Sequence, residues 1–186
     1  AGNDSVVVSG QSGGQVAVPF AVALGWGDLT VDLGAGDDEL VLAAVAARNV
    51  NITTGAGANH IVVTGFDPDA AVGGPADIQT VLRGALTVTG SAGDDRVDLL
   101  GIKTAGDVKL KLAGGGNAAT VAPYAGSDAN FNVEIAGSFV FDSSLARKVN
   151  SVLFDDPENA GGIFIGGSVQ VTLGLMNDSV LVTAAA

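Results

Sequence analysis

The chain has 186 residues, a net charge of -12 from twenty Asp and Glu against eight Lys and Arg, and no cysteine. Such acidity disfavours nucleic acid and anionic membrane surfaces as partners, and the lack of thiols excludes disulfides, thiolate catalysis and Cys-ligated zinc. The length suits a single domain, 1–186, and no run approaches the ~20 apolar residues of a membrane span.

Glycine is abundant, with 28 copies, whereas the chain holds only seven Phe, one Trp and one Tyr. Small and β-branched residues fit narrow, regularly stacked strands better than a core built on large aromatics. A chain opening at Ala1 reads as a processed protein or a segment of a longer one.

In chain order, a strand signal at 3–8 (NDSVVV) precedes a repeated unit. Each copy joins an alternating apolar strand to a Gly-rich turn with Asp or Asn, then to another alternating strand. The copies are 28–33 (DLTVDL) with 34–42 (GAGDDELVL), 49–54 (NVNITT) with 55–63 (GAGANHIVV), and 85–90 (ALTVTG) with 91–99 (SAGDDRVDL). Then come 107–112 (DVKLKL) with 114–117 (GGGN), and 168–173 (SVQVTL) with 174–182 (GLMNDSVLV). The copies start 21, 36, 22 and 61 residues apart. A spacing of 21 to 23 is one bare coil, and 131–135 (FNVEI) supplies a further copy of the first strand inside the longest gap. The segment 43–50 looks helical by propensity, but the phase of the repeat overrides it.

Alternation puts Val50 and Ile52 on one face and Asn51 on the other. No single coil holds enough apolar surface to fold alone, so coils must stack, with Leu40, Ile61, Val97 and Val180 forming one core column. The expected fold is all-β: a right-handed parallel β-helix, or β-solenoid, of six to seven coils. Two insertions, around 66–84 and 142–166, read as short helices on the outside of the stack. In the first, Pro75 begins the helix and Ile78, Val81 and Leu82 share a face. In the second, Ser143 or Ser144 is the cap, with Leu145, Val149, Val152 and Leu153 at helical spacing. A binding loop is the alternative at both, since solenoid insertions often carry recognition.

The turn 34–42 resembles the hemolysin-type calcium-binding nonapeptide of bacterial secreted repeat proteins. That resemblance implies calcium at Asp38 and, in weaker copies, at Asp95, Asp178 and Asp4. The chain departs from the family in its spacing, and Asn59 and Ala118 stand where two copies would carry Asp. The competing reading is an Asx ladder, with Asp and Asn side chains capping turn N–H groups. The overall pattern resembles the long parallel β-helices of bacterial surface proteins, such as autotransporter passengers and repetitive adhesins. It implies a secreted or cell-surface location and a non-enzymatic structural or adhesive role. The alternative is a ligand-binding module, with calcium at the Gly/Asp turns or a glycan at the insertions.

Catalysis finds little support. The paired carboxylates Asp37/Asp38, Asp94/Asp95 and Asp155/Asp156 are adjacent turn residues that point different ways, and His60, the one histidine, is expected on the surface. Thr30, Thr87 and Thr172 would share a column of the kind that binds ice, interrupted by Asn51 and Lys109. No cofactor is expected beyond calcium. The segments 3–8 and 177–182 are nearly the same strand, and neither end shows a polar cap. An uncapped stack exposes strand edges, so either copies associate end to end or the chain is one slice of a longer solenoid, with a surface glycan or protein as a further candidate partner.

Overall fold

The computed structural model describes residues 5–9, 27–65, 78–125, 130–155 and 161–183. Within them the chain is all-β, with no helix, and builds three parallel sheets. The first sheet takes β1 (Ser5–Ser9), β3 (Glu39–Ala43), β6 (His60–Thr64), β9 (Arg96–Leu100), β12 (Ala118–Ala122), β17 (Ser151–Asp155) and β20 (Ser179–Thr183) in that order. The second takes β2 (Leu29–Asp32), β5 (Val50–Ala56), β8 (Leu86–Ala92), β11 (Val108–Leu112), β16 (Phe139–Asp142) and β19 (Val169–Thr172). The third is made of short strands, β4 (Ala46–Ala47), β7 (Val81–Leu82), β10 (Lys103–Thr104), β15 (Val133–Ile135) and β18 (Ile163–Ile165).

From β2 onward the chain passes from the second sheet to the first and then to the third, and each new circuit lies beside the previous one in all three. A small antiparallel pair, β13 (Tyr124–Ala125) with β14 (Asn130–Phe131), interrupts one circuit between the first and third sheets.

Alternation explains the strands. In β11, Val108, Leu110 and Leu112 are buried while Lys109 and Lys111 face outward. Registers align like with like: Leu29, Val50, Leu86, Val108, Phe139 and Val169 occupy one column of the second sheet. The expected column of the first sheet is present, running Leu40, Ile61, Val97, Ala119, Val152 and Val180. One apolar cluster draws on all three sheets, with Leu40, Ile52 and Leu82 each about fully buried. Burying side chains of this size stabilises by roughly 1.5–3 kcal/mol apiece.

Glycine sets the corner between the second and first sheets. Gly57 and Gly93 have φ of 130° and 135°. A Cβ on Gly93 would lie 1.7 Å from the carbonyl oxygen of Gly57, and one on Gly57 would lie 1.9 Å from that of Gly36. Successive circuits therefore touch backbone to backbone at this corner.

Four expectations need correction. Val81 and Leu82 form a strand of the third sheet rather than a helical face; residues 66–77, with Pro75, lie outside the described residues. In the second insertion, Ser144 and Leu145 form a turn and Ser151–Asp155 is a strand with Val152 and Phe154 inward. The helical spacing there is coincidental: Leu145 and Val149 are exposed, and pairing with β12 and β20 requires extended backbone. The segment 131–135 does not continue the second sheet, because β15 pairs with β10 in the third and Phe139 pairs with Val108 instead. Finally, Gln170 rather than Thr172 follows Lys109 and Val140, so Thr172 leaves the column of Thr30 and Thr87. By contrast, 43–50 is not helical: Ala46–Ala47 is a short strand.

Candidate functional site

The residue just before each first-sheet strand is Asp or Asn in every circuit from β3 on, and these residues form a ladder up the glycine corner. The backbone N–H of Asp38 donates to Asn59 Oδ1 (3.2 Å), that of Asn59 to Asp95 Oδ1 (3.3 Å) and that of Asp95 to Asn117 Oδ1 (3.1 Å). Asn117 N–H then donates to Asn150 Oδ1 (2.9 Å), and Asn150 N–H to Asp178 Oδ1 (2.7 Å). The side chains of one circuit thus satisfy turn amides of the circuit before it, which burial would otherwise leave unpaired.

A second ladder climbs the corner between the third and second sheets with the opposite polarity. Asp28 Oδ1 accepts from the N–H of Asn49, Asn49 Oδ1 from Ala85, and Asp107 Oδ1 from Ser138. Here each side chain serves the circuit that follows. The Arg48 guanidinium beside Asp28, with Asn49, holds the Asp28 carboxyl well below its usual range.

Of the four expected calcium residues, Asp38, Asp95 and Asp178 fall in the first ladder, and Asp4 lies outside the described residues. Asn59 stands between Asp38 and Asp95, and Asn117 and Asn150 between Asp95 and Asp178. Carboxylates two strand spacings apart are separated by roughly 9–10 Å, whereas calcium gathers six to eight oxygens within about 2.6 Å. Among the described residues no group of three or more His, Asp or Glu converges on a point.

Asn117 and Asn150 were missed from the sequence because the turns were aligned on their glycines, which set Ala118 against Asp. The register pairs Ala118 with Arg96, so the residue to match is the one preceding the strand. Read that way, 117–121 (NAATV) and 150–154 (NSVLF) both repeat 59–63 (NHIVV).

Asp95 stands out within the ladder. Its Oδ1 accepts from the N–H and the amide of Asn59, but Oδ2 is buried without a hydrogen-bond partner. Burial pushes its carboxyl above the ordinary value of 3.8, against the hydrogen bonds from Asn59. A raised folded value means that Asp95 supports the fold fully below that ordinary value and loses this support as pH climbs through the raised one. Asp95→Asn keeps the accepting oxygen and removes the charge. It is therefore expected to be more stable than the parent at neutral pH, by about 1 kcal/mol, with the gap closing near pH 4; thermal melts across that range measure this.

On the outer face of the first sheet, His60 Nε2 and Arg96 Nε both lie 2.8 Å from Asp98 Oδ2. Burial is the largest single influence on Asp98 and pushes its carboxyl up, but hydrogen bonds from His60, Arg96 and Thr120 together outweigh it and leave the group below its usual range. His60 is half-buried on that face, as an outward position demands. None of the three side chains lines the groove on the third sheet.

The outer face of the third sheet carries an open groove of about 730 Å³, lined among others by Val81, Lys103, Asn132, Glu134 and Phe164. Lys103 and Glu134 form an ion pair within it.

No protein family, curated protein or solved structure matches this chain. Its own geometry must carry the functional argument, and the most distinctive surface is the final circuit. There β18, β19 and β20 are the outermost strands of the three sheets. Val169, Val171, Val180 and Val182 hold the same columns as the buried Phe139, Phe141, Val152 and Phe154. Yet Val169, Val180 and Val182 are 51%, 49% and 68% exposed. Leu175 and Met176 in the adjoining turn are exposed as well. Among the described residues, no strand pairs with the outer edges of β18, β19 and β20 or covers this apolar face.

Proposed function

We propose that the chain is a right-handed parallel β-solenoid acting as a non-enzymatic structural or adhesive scaffold of the bacterial surface or extracellular matrix, and that it assembles end to end. The cyclic passage through three parallel sheets and the shared apolar cluster support the solenoid. Parallel crossovers are right-handed in about 98% of cases, which supports the hand. Repetition of one unit, with side-chain ladders at two corners, favours a mechanical role over a chemical one. The secreted or cell-surface location rests on the resemblance of the repeats to those of bacterial surface proteins.

The observation that carries the assembly is the open face of the last circuit. Exposed contiguous apolar surface on a sheet end is a template for further strands, and a parallel stack offers only a head-to-tail contact, which propagates instead of closing. Calcium at Asp38, Asp95 and Asp178, or a glycan in the third-sheet groove, is the lesser reading: the ladder keeps the carboxylates apart, and the groove's Lys103 and Glu134 already neutralise each other.

Negative-stain electron microscopy at rising protein concentration tests the proposal. Filaments one molecule wide are expected from the parent. Val180→Lys places a charge on the open face at a half-exposed position, where the monomer tolerates it and a stacked partner does not; it is expected to leave monomers with an unchanged β-sheet circular dichroism spectrum. A parent that stays monomeric at every concentration would refute end-to-end assembly.

A further inference from the structure

We infer that the third rung of the first ladder is a hydrogen-bond donor: Asp95 holds a hydrogen on Oδ2, gives it to a carbonyl of the turn leading into it, and releases the glycine corner when that hydrogen is lost. The corner between the second and first sheets is thereby a pH-gated latch, and it works whether or not copies of the chain stack.

The neighbouring rungs show what the position demands. Asn59 Nδ2 donates to the carbonyl of Gly57 (3.0 Å), Asn117 Nδ2 to those of Leu112 (3.0 Å) and Gly114 (2.7 Å), and Asn150 Nδ2 to that of Lys148 (2.9 Å). Each of these side chains accepts from the circuit before it through Oδ1 and donates back into its own turn through Nδ2. Asp95 makes the accepting half alone, with Oδ1 taking the N–H (3.3 Å) and the amide (2.8 Å) of Asn59. Its Oδ2 is enclosed, with the residue 1% exposed, and nothing donates to it.

The position of Oδ2 matches that of a missing donor. A Cβ on Gly90 would meet it at 2.2 Å, and Gly90 is the register partner of Leu112, whose carbonyl receives the Asn117 amide. A carboxylate has no donor to offer there, whereas a carboxylic acid has one. A hydrogen on Oδ2 therefore completes the rung as Nδ2 does in Asn117.

The groups packed around the rung favour the neutral form. From the second sheet, Gly90 and Leu112 bring no charge. Along the ladder, Asn59 and Asn117 are neutral, Asp38 lies beyond Asn59, and Arg96 is turned to the outer face by Asp98. The adjacent Asp94 is held by Lys148 Nζ at 2.9 Å; its charge adds to the larger effect of burial in raising the Asp95 carboxyl. The acid form is thus complete below the ordinary value and is lost as pH climbs through the raised one. Once ionised, Oδ2 draws water into a corner where the Gly57 N–H donates to the Ala92 carbonyl (2.7 Å) and the Ala113 N–H to that of Gly90 (3.3 Å). Those two amides report the opening.

Asp95→Asn supplies the donor at every pH, and Asn already fills three other rungs of the ladder, so the variant is expected to fold. Infrared difference spectra of parent against Asp95→Asn, which read monomers and filaments alike, are expected to show one protonated carboxyl whose midpoint lies above the ordinary carboxylate range. Hydrogen exchange, corrected for the intrinsic pH dependence of amide exchange, is expected to show protection at Gly57 and Ala113 falling about fivefold across that midpoint. Asp95→Asn should show no such fall, and the Arg83 amide, bonded to Ala47 in the third sheet, should be unaffected in both. Calcium at about 1 mM should leave the midpoint where it is.

A midpoint within or below the ordinary range would overturn the donor. Identical pH profiles at Gly57 and Ala113 in parent and variant would overturn the latch. A midpoint driven down by calcium would make Asp95 a metal ligand and would reject the inference as well.

Discussion

Gly93→Ala is expected to destabilise the protein by about 4 kcal/mol or more. Two costs combine. At φ of 135° an alanine is strained by roughly 1–3 kcal/mol, and its Cβ would sit 1.7 Å from the Gly57 carbonyl oxygen, a contact that only backbone movement relieves. That movement breaks the bond from the Gly57 N–H to the Ala92 carbonyl, 2.7 Å long and adjacent to the substitution. Gly34→Ala is the matched control. Its φ of 81° imposes backbone strain, but nothing lies within 4 Å of the added carbon, so the loss is expected to be about 1 kcal/mol. Urea denaturation of the pair separates conformational strain from contact between circuits. Equal losses at the two positions would mean that the circuits do not press together at this corner.

The second large effect belongs to Asn117. Its side-chain amide donates to the carbonyls of Leu112 (3.0 Å) and Gly114 (2.7 Å) and to Ser143 Oγ (2.9 Å), while Oδ1 accepts from the N–H of Asp95 (3.1 Å). Removing it in Asn117→Ala strands polar groups in a site where Asn117 itself is 1% exposed. With about 1–3 kcal/mol for each buried group left unpaired, and incomplete additivity, a loss of roughly 3–5 kcal/mol is expected. Asn117→Asp keeps the acceptor and loses the donor. It also sets a second carboxylate beside Asp95, whose own charge is already disfavoured by burial. The aspartate variant is therefore expected to be weakest at neutral pH and to recover part of its stability as both carboxyls protonate on acidification, whereas the alanine variant shows no such recovery. Denaturation curves at neutral and mildly acidic pH distinguish the two.

The corner at Asn117 also shows why part of the architecture was legible in the sequence and part was not. Strands with four or five alternating residues, such as 28–33 and 107–112, announce both their extended conformation and their inward face, and the glycine turn between them repeats in phase. Two sheets could be read from this, together with the column through Leu40, Ile61 and Val97. The third sheet could not, because Ala46–Ala47 and Lys103–Thr104 are two residues long and two residues show no alternation. Their extended state comes from pairing with neighbouring circuits, which is tertiary information.

The same blindness misplaced 131–135. With the third sheet unseen, an alternating strand near the expected interval was assigned to the second. The helix expected over 143–153 failed for a related reason. Periods of 3.6 and 2 coincide over short stretches, and Val152 satisfies both; the sheet decides, since Val152 has Ala119 on one side and Val180 on the other.

The Asx ladder was foreseen in kind, as the alternative to calcium, but not in extent. An Asn before a strand is an ordinary turn residue, and only the stacking of circuits gives Asn117 and Asn150 their shared role. The exposure of Val169 and Val182 required the coordinates, since alternation alone places both in an inward column.

Hydrogen exchange followed by mass spectrometry, at low and high protein concentration, tests most directly whether this is a stack that grows from its end. Amides of β9 and β12, paired on both sides, should be protected at either concentration. Those of β18, β19 and β20 should exchange quickly when dilute and slow markedly when concentrated, and Val180→Lys should abolish the slowing. Exchange in β20 that does not depend on concentration, or central strands no better protected than β20, would contradict the account.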